Sequence, residues 1–296
     1  MSTTPPCDPG ASGGAPGGAV PSEHALGTAL PMVERIARIV SAPRGADGGR
    51  TTMADPVVSD IVVGRKYSAV QLVDGSAGVA LTQHPVWSAG CCGDPDAGVA
   101  PPQAGAAFQG YIGRSSAELV ENLRSPDSVT AAVALAAVNA LVNRADVPLL
   151  PGDLLEYLAV RPEDIVGMVG FFGPLVRPLR SRCRHLHIFE RRDEGDCLPA
   201  DEAYEVLPKC DIAIITSGTI TNGSIDGLLA ACASCREVAM VGASTPMLPS
   251  AFADTPVTWL SGSVVADVAH TVEIVAAGGG RKEFNRYLTK GNLRAS

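Results

Sequence analysis

Aromatic residues make up only 4% of the 296-residue chain, and charged residues only 18%. With so few rings, the core has to be built from Ala, Val, Leu and Ile, a composition that suits helices packed on a parallel sheet. Hydrophobic residues reach 46%, which excludes a disordered chain. No long basic block occurs and the net charge is −8, whereas following a nucleic-acid backbone needs a positive face, so a nucleic-acid partner is not expected. No run of about 18 apolar residues is present, so no membrane span is expected. The nearest approach, AAVALAAVNALV (131–142), is short and carries Asn139. The N-terminal stretch has neither a cationic start nor an apolar segment and does not read as a signal peptide. The expected location is therefore cytoplasmic, with the eight cysteines as thiols, most of them small buried hydrophobes. Walker, HExxH and nucleophile-elbow patterns are all absent.

What is there falls into blocks. Residues 1–21 are rich in Gly, Pro and Ser and read as a leader. Residues 22–148 read as a first domain. It has a helix over 22–42 with Pro31 as an alternative start, strands at 57–64 and 67–73, a DGSAG turn and the return strand VALTQ. The stretch 84–110 reads as a long loop holding Cys91 and Cys92, and helices follow near 115–124 and 127–143.

Residues 149–280 change rhythm. The apolar strands DIVGMVGFFG (164–173), HLHIFE (185–190), DIAIITSG (211–218), EVAMVGAS (237–244) and VTWLSGS (257–263) alternate with helical stretches. That alternation predicts an α/β, doubly wound parallel sheet. Residues 281–296 are locally basic and read as a solvated helical tail.

Ligands of such sheets bind beyond the carboxyl ends of the strands. Every strand end here is small or polar, and this assigns the candidate ligand residues Gly170, Phe171, Glu190, Thr216, Ser217, Thr219, Asn222, Ser244, Thr245 and Gly262. The spacing of Gly167, Gly170 and Gly173 is not the dinucleotide fingerprint, and Gly–Pro strand termination explains it equally well. Glu190 lies about 20 residues beyond those glycines, where an acid accepts hydrogen bonds from a ribose. Hydroxyls and an amide at 216–224 suit an anion or a small polar ligand, although Asn222 or Ser224 could simply cap the next helix. Candidate metal ligands are Glu190, Asp226, Cys91 and Cys92. CASC (232–235) lies in a predicted helix and reads as core, and His185 and His187, on one strand face, read as structural.

The segments GMVGFFGPLVRPLR, HIFERR, LPKCDIAIITSGTITNGSIDGLL, VGASTPMLPSAF and WLSGSVVAD resemble a heavy-metal chelation domain family. DIVVGRKYSAVQLVDGSAGVALT and AAVALAAVNALVN resemble the enolase-N-terminal-like domain that precedes it. The resemblance implies a Rossmann-like second domain behind a smaller α+β domain. It also implies a cleft site between them that binds a metal ion or a metal-chelating small molecule. The alternative is an enzyme using a nucleotide-like cofactor, S-adenosylmethionine or NAD. A homodimer is expected from fold analogy only.

Overall fold

The structure, a computed structural model, describes residues 30–42, 56–83, 104–191 and 195–295. Cys91, Cys92 and most of the expected loop 84–110 lie outside the described residues. No helix among the described residues is long and apolar enough to cross a membrane.

The first part of the chain is an antiparallel meander with helices against it. Strands β1 (Val58–Val63), β2 (Tyr67–Leu72) and β3 (Ala77–Leu81) pair in chain order. Asp74–Gly75–Ser76 closes the turn between β2 and β3, with Gly75 at a φ of 85°. The first helix, α1 (Met32–Ser41), begins directly after Pro31, as expected where proline presets the first helical turn. Helix α2 (Ser116–Val120) follows, capped by the Ser115 hydroxyl.

Helix α3 (Ser128–Val142) is capped by Asp127, whose carboxylate accepts the Thr130 N–H at 2.8 Å. It is apolar on every side, and twelve of its residues are buried, which fits a helix enclosed between layers. One layer is the meander. The other is the second half of the chain, so a single core of buried residues runs from Val70 and Leu72 through Val133 and Leu135 to Val238 and Met240.

The second half is a seven-stranded sheet in the order β10-β9-β8-β7-β4-β5-β6. Its strands are β4 (Ile165–Val169), β5 (His185–Glu190), β6 (Leu198–Pro199), β7 (Ile212–Thr216), β8 (Glu237–Val241), β9 (Trp259–Val265) and β10 (Leu288–Arg294). All pairings are parallel except β9 with β10. Alternation along β7 shows the double winding. Ile212 and Ile214 pack with Leu175 and Leu179 of helix α4 (Gly173–Arg182). Ala213 and Ile215 face the opposite way, towards Ile220 and Leu228. The fold is thus α/β, a Rossmann-like parallel sheet behind a smaller α+β unit.

The tail departs from the helical expectation. Residues 281–284 make one helical turn, but 288–294 form strand β10, in register with β9 from Leu288–Val265 to Arg294–Trp259. Gly291 lets this edge strand lie close to Leu149, because a Cβ there would meet the Leu149 Cβ at 2.5 Å. Long-range pairing overrides the weak local signal of KGNLR.

At the starting end of β4, the Asp164 carboxylate accepts two hydrogen bonds from Arg236, at 2.8 and 3.2 Å, and one from the Arg161 N–H at 2.7 Å. Burial raises the carboxyl's pKa, but these bonds outweigh it and hold the group below the usual carboxylate range. A depressed folded-state pKa stabilises the fold above the unfolded value of about 4, and the benefit is lost as pH falls through the folded value. Asp164→Asn should therefore lower Tm most near neutral pH. The gap to the unmodified chain, followed by thermal melts, should close in acid.

Candidate functional site

A cavity of about 460 Å3 opens at the carboxyl ends of β4, β5 and β7, against the end of β3. Strands β4 and β7 are the first and fourth of the parallel set, so the cavity sits where the chain's winding reverses. That switch point is where open α/β sheets bind ligands.

The turn after β4 forms one wall. Gly170 has a φ of 89°, and a Cβ there would meet the Thr216 side chain at 3.0 Å. Glycine is needed on both counts, to reach the left-handed backbone and to let the turn lie against β7. Phe171, half exposed, stands at the rim. Glu190 at the end of β5 fixes this turn: one carboxylate oxygen accepts the Phe171 N–H at 3.0 Å and the other its own neighbour's, Arg191, at 2.8 Å.

The hydroxyl-rich stretch after β7 divides its work. Thr216, Thr219, Asn222 and Ser224 line the cavity. The Thr219 hydroxyl donates to the Thr216 carbonyl at 2.7 Å and the Thr221 hydroxyl to the Gly218 carbonyl at 3.1 Å, each closing a short helical turn (Gly218–Thr221). The Asn222 amide oxygen accepts from both the N–H and the hydroxyl of Ser224. Ser217 is buried below Gly242, where a Cβ would meet its hydroxyl oxygen at 2.7 Å.

Gln83, just past β3, closes the site from the other half of the chain. Its amide N–H donates to the Gly218 carbonyl at 2.8 Å. Its amide oxygen accepts from Asn222 at 3.3 Å and from Arg191 at 3.2 Å. Sequence reasoning passed over Gln83, and with it Arg191, Asp201 and Tyr204, which also line the cavity. The available signal was a polar residue at the carboxyl end of β3, but nothing local says which strand ends will meet.

Of the sequence-derived candidates, Gly170, Phe171, Glu190, Thr216, Thr219 and Asn222 share the cavity. Ser217, Ser244, Thr245 and Gly262 are not in its lining. Ser244 and Thr245 lie in the seam between the two halves: the Ser244 hydroxyl accepts the Leu81 N–H at 2.8 Å, and the Thr245 carbonyl accepts from Asn143 at 2.9 Å. Gly262 makes room for Met247, whose sulfur would sit 2.5 Å from a Cβ.

Asp226 is also outside the cavity lining. It opens helix α5 (Ile225–Ala231) and accepts the Met32 N–H at 2.9 Å, tying down the start of α1. Burial raises its pKa, with the Met32 N–H and Arg35 acting against that shift. Among the described residues, no group of three or more His, Cys, Asp or Glu side chains is arranged to hold a metal ion. A second cavity, of about 480 Å3, lies beside Cys183, His185 and His187 at the start of β5. The two imidazoles there are 4.2 Å apart between ring centres.

Two family models match the chain. DUF364, described as "Putative heavy-metal chelation", matches residues 153–294, and DUF4213, under the same description, matches residues 49–142. No curated protein matches the chain. A crystal structure of a DUF364-family protein from Desulfitobacterium hafniense is 24% identical, with a TM-score of 0.71 over 89% of this chain and 98% of that one. Another, from Pyrococcus horikoshii, is 20% identical, with a TM-score of 0.70 over 89% of this chain and 99% of that one. At these identities the likeness establishes a common fold.

Proposed function

Because the chain carries DUF4213 in front of DUF364, both described as "Putative heavy-metal chelation", we propose that it binds a small metal-chelating organic molecule, or the metal complex of one, in the cavity at the β4–β7 switch point. The observation that carries this reading is the lining itself. Phe171, Phe172, Phe189 and Tyr204 offer apolar surface, while Gln83, Thr216, Asn222 and Ser224 offer neutral polar groups. This mixture suits an organic ligand oriented by a few hydrogen bonds. A bare soft or borderline ion calls for thiolate or imidazole donors instead. In this reading the ligand brings its own metal donors, and the protein grips the organic frame.

A second reading, a nucleotide-like cofactor such as S-adenosylmethionine or NAD, is favoured by the switch-point position alone. Both Glu190 oxygens already accept backbone N–H groups, and this leaves the carboxylate's remaining lone pairs for a ribose.

Thermal melts separate the two, since a ligand of the native state raises Tm. Purified protein is melted with Ni(II), Cu(II) and Zn(II) alone, with their complexes of a small aminocarboxylate chelator, and with S-adenosylmethionine and NAD. Stabilisation by the complexes beyond that by the ions supports chelate binding, whereas stabilisation by adenosine compounds alone overturns it. Gly170→Ala, which pushes the turn off Thr216, should reduce whichever shift is seen by tenfold or more in affinity, about 1.4 kcal/mol. Glu190→Ala frees the same turn and should also weaken binding. Unchanged affinity in both variants would place the ligand elsewhere.

A further inference from the structure

The tertiary structure gathers three thiols at the starting ends of β7 and β8, the opposite end of the sheet from the cavity. Cys210 lies two residues before β7, and Cys232 and Cys235 lie between α5 and β8. The Cys210 thiol donates to the Val206 carbonyl at 3.5 Å and the Cys235 thiol to the Leu207 carbonyl at 3.6 Å, so both reach the same short stretch of backbone. Cys232 ends α5, and the Cys235 N–H donates to the Cys232 carbonyl at 2.9 Å, closing a tight turn. That turn carries the two side chains three residues apart on one closed loop, near enough for each thiol to shift the other's pKa. Cys232 is fully buried and Cys235 partly exposed, with Ala233 and Ser234 between them at the surface. All three cysteines are free.

We infer that Cys232 and Cys235 form a dithiol capture site for thiophilic trivalent species, of which a trivalent arsenical is the type. Two thiols carried by one closed turn suit the two-thiolate chelation such centres prefer, and soft thiolates select soft acceptors. Cys235 is the entry point. Its interaction with the Cys232 thiol lowers its pKa against the opposing effect of burial, which favours the nucleophilic thiolate. The same interaction and burial push Cys232 up, and burial with the charge of Cys235 pushes Cys210 up to about 12. Cys232 therefore reacts second, after the exposed sulfur has engaged. The site does not depend on the cavity, and its occupant needs no third protein donor.

The chemistry balances without electron transfer. With phenylarsine oxide, two As–S bonds form and the As–O linkage breaks. Both thiol protons leave with that oxygen as water, and arsenic stays trivalent.

The test uses the reduced full-length chain in a Cys91→Ser/Cys92→Ser background, which removes the adjacent pair in the first half. Phenylarsine oxide is added, and the product is read by intact mass and by mapping of digested peptides. One adduct that joins Cys232 to Cys235 is expected. It should be lost in Cys235→Ala and in Cys232→Ser, and kept in Cys210→Ser. An adduct that survives Cys235→Ala, or that maps to other cysteines, overturns the assignment, as does one that forms only after unfolding in urea. Because Cys232→Ser alters a buried position, the rate of iodoacetamide labelling of the unmodified chain is an independent readout. Cys235 should be alkylated first among the cysteines of the second half, and slower labelling there than at Cys183 counts against the site.

Discussion

Gly78→Ala should prevent the chain from folding stably. Gly78 sits in β3 where α3 crosses it, and a Cβ there would lie 2.2 Å from both the Ala136 carbonyl oxygen and the Ala140 nitrogen. Both are main-chain atoms of a fully enclosed helix, so no rotamer change relieves the clash. The helix has to lift from the sheet, and with two main-chain atoms in the way the cost falls at the upper end of the overpacking range, ~3 kcal/mol. That is a large fraction of the total stability of an ordinary domain. The same lift would break the bond from the Asn139 amide to the Val79 carbonyl, 2.9 Å long. It would also carry away Leu81 at the end of the strand and Gln83 just past it, both of which line the cavity. Urea unfolding and soluble yield measure the effect. Gly110→Ala is the control: nothing lies within 4 Å of its added methyl, and its stability should be unchanged. A Gly78→Ala protein that melts like the unmodified chain would show that α3 does not approach β3 so closely.

Asn143→Leu should cost ~3 kcal/mol or more. The Asn143 amide N–H groups donate to the Thr245 carbonyl at 2.9 Å and the Ser263 carbonyl at 3.1 Å. Its amide oxygen accepts the Met247 N–H at 2.8 Å. All of this is buried in the seam between the two halves, with Asn143 3% exposed. Leucine keeps the volume and leaves three buried backbone groups without partners, each costing about 1–3 kcal/mol. Asn143→Asp separates hydrogen bonding from shape. It is nearly isosteric and can still accept from Met247, but it turns an oxygen towards two carbonyls, so it should be destabilised to a similar degree. Unfolding in urea with tryptophan fluorescence as the probe measures both. If Asn143→Leu unfolds at the same urea concentration as the unmodified chain, the amide is not what joins the halves.

The two amides also explain why part of the site misled a reading of sequence. Asn139 and Asn143 stand one turn apart on a largely apolar helix, and a buried amide of this kind needs partners, either on a loop or across an interface. They do both: Asn139 bonds the carbonyls of Val79 and Ser244, and Asn143 bonds the loop from Thr245 to Met247. The small residues after β8 therefore serve the seam, whereas those after β4 and β7 line the cavity. From the sequence the two sets look alike, because each is a polar cluster at the end of an apolar strand.

Strand β10 was hidden for a related reason. KGNLR has no strong strand preference, and it becomes one only because β9 offers an open antiparallel edge. The thiol group was hidden too. CASC reads as core, and Cys210 joins it from 22 residues away only through the turn over Leu207.

The parallel sheet, its five apolar strands and the polar stretch from Thr216 to Ser224 followed from the sequence alone. Each is a local pattern, a run of branched apolar residues or a cluster of small hydrogen-bonding ones, and local patterns survive without knowledge of what packs where. Which strand ends face one another, that Gln83 reaches across to Gly218, and that Cys210 and Cys235 bond neighbouring carbonyls were decided by the tertiary structure. Those contacts join residues far apart in the chain, and their partners are chosen by how α3 fills the space between two sheets.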